Sequence, residues 1–172
     1  MSLDALVADV LAFVKAHQIW APLIVGFLAF GESLAIISLF FPATIILVGI
    51  GGLIGASDIA FWPVWAGAAV GASLGDWISY WIGFKFKDRA RHIWPLSYYP
   101  PLVARGEVFF HRFGVWSIFL GRFLGPLRAV VPLIAGIFEM PQLHFQLANV
   151  SSAMVWSFAL LAPGFAALKM LQ

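Results

Sequence analysis

The stretch GRFLGPLRAVVP, Gly121–Pro132, sets two arginines, Arg122 and Arg128, into a segment that is otherwise apolar, glycine or proline. An arginine at the centre of a membrane helix costs roughly 2.5–3.5 kcal/mol on insertion scales, and such residues face a partner charge, a cavity or a ligand. The two arginines therefore require acidic partners or an anionic ligand. Gly125 and Pro126 between them also predict a break in the backbone.

The composition is that of an integral membrane protein. Of 172 residues, 62% are hydrophobic and 10% are charged, whereas a soluble domain carries about 25% charged residues. The chain has no cysteine, which excludes disulfides and thiol chemistry. The net charge of +2 is too small to indicate a nucleic-acid partner.

Three segments of the first half have distinct patterns. Leu3–Gln18 has apolar residues on one side of a helix and charges between them, so we expect a retained amphipathic helix at the membrane interface. Ile19–Ala56 is nearly twice the roughly 20 residues that one crossing needs, so it either crosses twice or returns as a hairpin broken at Pro42. Ile59–Phe84 has the length of one crossing.

Glycines recur every four residues in this last segment, at Gly67, Gly71 and Gly75. Small residues at this spacing allow another helix backbone to approach closely. We therefore expect tight helix packing at this face, either within one chain or between two chains as a homo-oligomer.

The linker between the halves is basic. Lys85–Arg112 contains six basic residues against two acids, and the positive-inside rule places this loop in the cytoplasm. After it, Phe113–Phe138 is apolar but interrupted at Pro126 and Pro132, and Leu143–Leu168 has the length of a second crossing. The order of segments in the first half thus recurs.

The two halves also share residue spacings. Glu32 stands ten residues before Pro42, as Arg122 stands ten before Pro132. If each half has one full crossing and one hairpin that returns to its own side, the halves are inverted relative to each other, as in transporters. Pro42 and Pro132 are then expected where the backbone turns, in segments that line a cavity or are buried in protein. A second pattern recurs at identical spacing: Leu6-Val7-Ala8, Phe13 and Trp20 in one half, Leu102-Val103-Ala104, Phe109 and Trp116 in the other.

The predicted fold is an all-α integral membrane protein with a single membrane domain, 1–172. It consists of two inverted repeats, about 1–84 and about 102–172, joined by the cytoplasmic basic linker at about 85–101. Each repeat comprises an amphipathic helix, a broken re-entrant helical hairpin and a transmembrane helix.

Four ionisable residues lie within the apolar segments: Glu32, Asp76, Arg122 and Arg128. As ion pairs between the repeats they would be structural staples, which are often no more stabilising than apolar substitutes. Alternatively, arginine's planar fork binds phosphate or carboxylate, and a half-helix starting after Pro126 would add unpaired amide groups beside Arg128. An anion is then the ligand. A proton and the anion would compete for the same site, so Glu32 and Asp76 are the predicted proton-coupling residues.

The run GDWISYWIG, Gly75–Gly83, places Asp76, Tyr80 and Gly83 on one helix face. The Tyr80 hydroxyl is predicted to donate to Asp76 or to a ligand. The alternative is that both side chains simply lie near the cytoplasmic interface.

These residues resemble the DedA family of bacterial inner-membrane proteins. G-D-x-x-x-Y-x-x-G at Gly75–Gly83 is similar to the family's central motif, and R-F-x-x-P-x-R with V-V-P-L-I-A-G, Arg122–Gly136, is similar to its second one. Further positions follow at the spacing of the family's last helix: Met140, Phe145, Asn149, Trp156 and Gly164.

The resemblance implies a multi-pass lipid translocase of the inner (plasma) membrane that moves lipid phosphates, such as undecaprenyl phosphate, or phospholipids, and that depends on the proton gradient. The family's membrane glutamate and its two arginines match Glu32, Arg122 and Arg128. The family's second acid is missing, since Thr44 stands in its place. Glycine and proline before Arg128 are in reversed order, and Phe84 stands where the family commonly has arginine.

The favoured function is a flippase or scramblase for an anionic lipid. Arg122 and Arg128 are expected to hold the lipid phosphate, and Glu32, Asp76 and Tyr80 are expected to make further contacts with the lipid. The alternative is a proton- or cation-coupled small-solute transporter on the same scaffold. We expect no enzyme activity, cofactor or metal, because the sequence shows no clustered carboxylates and no serine on a strand-to-helix turn. Four scattered histidines are expected to be interfacial: His17, His92, His111 and His144.

Overall fold

The structure, a computed structural model, describes residues 9, 12–34, 43–57, 59–87, 89, 100–125 and 127–170. Within these ranges the chain is mainly helical and contains no strand. The first long helix is preceded by a helical stretch at residues 12–16 and by a 3-10 turn at Gln18–Trp20. The helices that follow are α1 (Ala21–Ser33), α2 (Ala43–Gly55), α3 (Phe61–Phe86), α4 (Pro100–Phe113), α5 (Trp116–Gly121), α6 (Leu127–Ile137) and α7 (Gln142–Lys169).

The glycine face of α3 packs on α1 of the same chain. A methyl group at Gly71 would collide with the Gly26 carbonyl, and one at Gly67 with the Pro22 carbonyl. At Gly75 the added carbon would lie 2.6 Å from the Phe30 carbonyl oxygen. The predicted tight packing is therefore confirmed. This packing lies within one chain, since α1 covers the face, and a homo-oligomer stays a prediction.

The other helices pack across the molecule. α2 lies on α7 and α6 lies on α3, while α3 and α7 also touch each other. Both crossed contacts use glycines: Gly51 meets the Leu161 carbonyl of α7, and Gly136 meets the Tyr80 carbonyl of α3. The first half and the second half are thus interleaved rather than set side by side.

The second half is broken between α5 and α6. Gly125 has φ +50, a left-handed conformation that ends regular helix and that glycine adopts without a steric cost. Pro132 lies inside α6, so the expectation that the backbone turns at Pro132 is wrong. A proline removes one helical hydrogen bond and is accommodated within α6, whereas the left-handed Gly125 lies in the gap between the end of α5 at Gly121 and the start of α6 at Leu127. Pro42 and Pro126, the other predicted breaks, lie outside the described residues.

The remaining predicted segments are located in part. α3 begins and ends two residues after the predicted crossing Ile59–Phe84, and Ile19–Ala56 contains α1 and α2. Residues 35–42 between these two helices lie outside the described ranges, as does most of the linker at 88–99. By length and composition, one described helix segment is long and apolar enough to cross a membrane, Gln142–Ala167.

Candidate functional site: two buried ion pairs

All four ionisable residues predicted within the apolar segments meet in two ion pairs. Asp76 of α3 pairs with Arg122, which directly follows α5. Glu32, in the last turn of α1, pairs with Arg128, the second residue of α6, at 2.7 Å between Oε1 and Nη1. Each pair joins an acid of the first half to an arginine of the second half. The pairing predicted from the sequence is therefore found, and the partners are now assigned.

The Asp76–Arg122 pair is enclosed. The side chains are 6% and 2% exposed, and Arg122 Nη2 also donates to Asn149 Oδ1 at 2.6 Å. Asn149 Nδ2 in turn donates to the Ser73 carbonyl of α3 at 2.9 Å. Arg122 is thus fixed between α3 and α7 by partners on both helices.

Arg122 nevertheless keeps unused donors. Its Nε and Nη1 atoms are buried and have no hydrogen-bond acceptor among the described residues. A guanidinium has five N–H groups, and a buried unsatisfied donor is costly, so it usually marks a bound water, an ion or a ligand.

The Glu32–Arg128 pair lies in a different environment. The Arg128 side chain is 11% exposed, and its guanidinium carbon lies 4.4 Å from the ring centre of Trp156, in cation-π geometry. Its second polar contact is a long one, from Nη2 to Ser33 Oγ at 3.3 Å. Arg128 is therefore seated on an aromatic face with one strong acceptor, the Glu32 carboxylate.

The start of α6 differs from the expectation in one respect. The amide of Leu127 donates to the Leu124 carbonyl at 3.1 Å, and the amide of Arg128 donates to the Gly125 carbonyl at 3.2 Å. The prediction of unpaired amides beside Arg128 is wrong for these two groups, because the turn at Gly125 brings the preceding carbonyls within reach.

Tyr80 does not bond to Asp76. Its hydroxyl donates to the Met140 carbonyl at 2.6 Å, and its ring stacks on Phe145 with 4.3 Å between centres. Gly83, one turn further, lies against the Leu133 carbonyl of α6. Asp76, Tyr80 and Gly83 lie on one helix and all three are buried, and Tyr80 fastens α3 to the segment before α7. Its contact with a ligand remains a prediction.

Three further residues belong to the site, and sequence reasoning gave them no role: Ser33, Asn149 and Trp156. Asn149 was detectable as an amide three residues after Gln146 in an otherwise apolar helix, since polar groups at such depth need partners. Trp156 matched only the spacing of the family's last helix and Ser33 gave no signal, because their contacts depend on how α7 and α1 meet Arg128.

Two apolar grooves run along the outer side of α3. One lies between α1 and α3 with a volume of about 490 Å³, and reaches Phe30 and Leu74, each two residues before an acid of the site. The other lies between α3 and α7 with a volume of about 430 Å³ and reaches Gln146, whose side chain contacts Asn149. A ridge on α3 separates them: Ala66, Val70 and Leu74.

Within the described residues, no three histidine, aspartate or glutamate side chains are grouped so that they could hold a metal ion. The helices, the apolar surface and the paired charges buried between the two halves define the class as an α-helical membrane protein. The model of the VTT domain matches residues 41–166. The chain belongs to the VTT-domain family, which is the DedA family.

The relatives are membrane proteins. The chain is 34% identical over 156 residues to the inner membrane protein YabI of Escherichia coli K12, covering 90% of this chain and 61% of the relative. It is 31% identical over 153 residues to an uncharacterized membrane protein of Buchnera aphidicola subsp. Acyrthosiphon pisum, covering 89% of this chain and 60% of the relative. An uncharacterized membrane protein of Mycobacterium tuberculosis H37Rv is 37% identical over 141 residues, 78% of this chain and 63% of the relative.

These matches place the protein in the bacterial inner membrane. The chain spans about 60% of the length of these relatives. No solved structure matches the chain significantly.

Proposed function

We propose that the protein is a multi-pass lipid transporter that moves an anionic lipid, a phospholipid or a polyprenyl phosphate, across the inner membrane. The lipid phosphate binds Arg128 in place of the Glu32 carboxylate, and the unused N–H groups of Arg122 supply a second set of donors. The chain performs no bond-making step and uses no cofactor or metal.

The observation that carries the proposal is the setting of Arg128. Arg128 is a permanent cation that lies on the Trp156 ring. Among the described residues it has one strong acceptor, the Glu32 carboxylate, and its neighbours in the sequence are apolar. A tetrahedral phosphate can turn two of its oxygens toward a guanidinium and so accept the same bidentate pair of N–H bonds as a carboxylate does. An anionic headgroup can therefore replace Glu32 without leaving the buried arginine unpaired.

The two grooves beside α3 support a lipid rather than a soluble anion. Ser73 and Gln146 are the polar residues that line the α3–α7 groove, and the α1–α3 groove is lined by apolar residues, glycine and proline. A soluble ion would need hydrogen-bonding groups along its path, whereas acyl or polyprenyl chains pack against apolar walls. Both grooves run along α3, the helix that carries Asp76, so an apolar chain in a groove and a headgroup at the ion pairs would use the same helix.

Transport across a bilayer needs access from both sides, and two inverted repeats would supply it. The crossed packing supports this architecture: α2 on α7 corresponds to α6 on α3, and glycines make the closest contacts in both. Glu32 and Arg122, the residues that occupy the same place in the two repeats, both lie where the first helix of the broken pair ends. A rocking motion of one repeat against the other would then expose the ion pairs alternately.

Proton coupling is part of the proposal and is assigned to Glu32 first and Asp76 second. When phosphate displaces Glu32 from Arg128, the carboxylate is left buried without its cation, and protonation removes that cost. Asp76 is held by an enclosed Arg122 and gives up its partner less readily. Thr44 at the position of the family's second acid leaves Glu32 as the principal proton carrier.

The test uses protein reconstituted in liposomes with a headgroup-labelled anionic phospholipid, and follows the access of a membrane-impermeant quencher. We expect wild type to expose the inner-leaflet label, Arg128→Ala to lose this activity, and Lys15→Ala, which removes an exposed cation outside the site, to retain it. Equal rates in wild type, Arg128→Ala and empty liposomes would contradict the proposal. Flux of an entrapped organic anion without lipid movement would replace it with the small-solute function.

A further inference from the structure

A second cationic feature lies outside the buried site, on the outer surface of α4. A groove of about 440 Å³ is lined there by Arg105, Arg112, Val108, Phe109 and Leu127, among others. We propose that this α4 groove is a separate binding site for an anionic phospholipid, with the phosphate held by the two arginines and the first carbons of an acyl chain against the apolar residues.

The two arginines lie on one side of the helix with apolar residues between them. At about 100° per residue, Arg112 lies about 20° away from Arg105 around the axis and about 10 Å along it. Val108, which is 70% exposed, lies between them. Cations at both ends of an apolar strip match a lipid, whose charged headgroup and apolar chain are joined, better than they match a peptide or a nucleic acid.

The arginines are available for an anion. In the part of the chain that the structure describes, no carboxylate forms an ion pair with Arg105 or Arg112. Glu107 is on the same helix, but about 200° from Arg105 and about 140° from Arg112 around the axis, so it faces away from the groove. Arg112 instead lies over the Phe113 ring at 5.4 Å, which orients its guanidinium, and its N–H groups have no acceptor among the residues that the structure describes.

The surroundings of α4 support a headgroup beside it. Its opposite face packs on α6, where Gly106 lies against Ile134 and Val130, so the helix lies on the protein with its basic side outward. Trp116, which is 69% exposed, follows closely, and exposed tryptophans concentrate at the membrane–water interface. Anionic lipids attract basic residues at that interface.

The α4 groove is close in sequence to the buried site, because Leu127 precedes Arg128. The inference nevertheless does not depend on translocation, since it concerns binding at the surface. Its test therefore measures local lipid occupancy and not transport.

The absence of cysteine allows a single label on the full chain in liposomes. Ala104→Cys places a fluorophore at the rim of the α4 groove, and Leu143→Cys places one on an exposed surface outside it. Quenching by an anionic phospholipid with a headgroup quencher is compared with quenching by the zwitterionic lipid that carries the same quencher. We expect a preference for the anionic lipid at position 104 and a smaller one at position 143.

In the Ala104→Cys background, Arg105→Gln/Arg112→Gln should reduce this preference roughly thirtyfold, the factor that two basic residues near an anionic surface supply. Arg105→Lys/Arg112→Lys should retain most of it, and the charge-matched control Lys15→Gln/Lys85→Gln should change it little. An equal preference at position 143, or an equal loss in the control pair, would overturn the proposal. A loss caused by inorganic phosphate but not by chloride at matched ionic strength would also overturn it, because the ligand would then be a free anion.

Discussion

The Asp76–Arg122 pair and the Glu32–Arg128 pair join the same two halves of the chain, but their surroundings differ. Arg122 is 2% exposed in its side chain and has two acceptors on two helices, whereas Arg128 is 11% exposed and depends on one carboxylate and an aromatic ring. Breaking a buried pair is costly because it leaves an uncompensated charge, and Arg128 has fewer strong contacts to break than Arg122 has. We therefore propose that the Asp76–Arg122 pair mainly holds the two halves together while the spare N–H groups of Arg122 assist binding, and that the Glu32–Arg128 pair is the one that exchanges its partner.

The largest effect on stability is expected for Arg122→Ala. It leaves Asp76 buried without its cation, which costs about 3–5 kcal/mol, measured as the free energy of unfolding in mixed detergent micelles. The double variant Asp76→Ala/Arg122→Ala should recover part of this loss. If Arg122→Ala lowers the free energy of unfolding no more than Arg128→Ala does, the two ion pairs do not differ in their contribution to stability.

Arg128→Ala should cost less stability, about 1.5–3 kcal/mol, the range for hydrogen bonds to charged groups, because Arg128 is the more exposed of the two arginines and water can reach Glu32 through the space that its side chain leaves. The same unfolding measurement and the liposome assay are applied to one preparation. If Arg128→Ala keeps its stability and loses transport, the two ion pairs differ even more clearly in role. If it keeps transport and loses stability, the Glu32–Arg128 pair is the structural one.

Gly71→Ala tests the packing that places both acids. The new methyl group collides with the Gly26 carbonyl, so α1 and α3 must separate, at a cost of about 1–3 kcal/mol. Gly31→Ala is the matched control, since a methyl group there meets nothing within 4 Å and should stabilise the helix slightly. Equal effects of the two substitutions on the thermal midpoint would contradict the α1–α3 contact.

The smallest effect is expected for Tyr80→Phe. It removes the hydroxyl donor to the buried Met140 carbonyl and keeps the stack on Phe145, so about 1 kcal/mol of stability is lost. Transport per folded protein should not change, as measured in the liposome assay. A transport defect without a loss of stability would return Tyr80 to the substrate-binding residues.

The sequence predicted those features that depend on local pattern. The length of α3, the close approach at Gly71 and the presence of paired charges follow from apolar spacing, small residues and the cost of a charge in a membrane. It did not predict which acid meets which arginine, because that depends on how α1 and α3 are aligned with the break before α6.

Other contacts could not be predicted either, because they join residues that are far apart in the sequence. The acceptor of the Tyr80 hydroxyl lies sixty residues away along the chain, and the contact of Trp156 with Arg128 depends on the tertiary position of α7. The break was expected at Pro132 as well as near Gly125. The structure has the break between Gly121 and Leu127, around the left-handed Gly125, and Pro132 lies inside α6.

The central claim is that a lipid phosphate competes with Glu32 for Arg128, and equilibrium binding of a short-chain anionic phospholipid to the detergent-solubilised protein tests it most directly. Glu32→Gln removes the competing charge and should tighten binding about tenfold or more, Arg128→Ala should weaken it, and Asp76→Asn should leave the affinity per folded protein nearly unchanged. If Glu32→Gln binds no more tightly than Asp76→Asn, the phosphate does not take the place of the Glu32 carboxylate, and the claim is wrong.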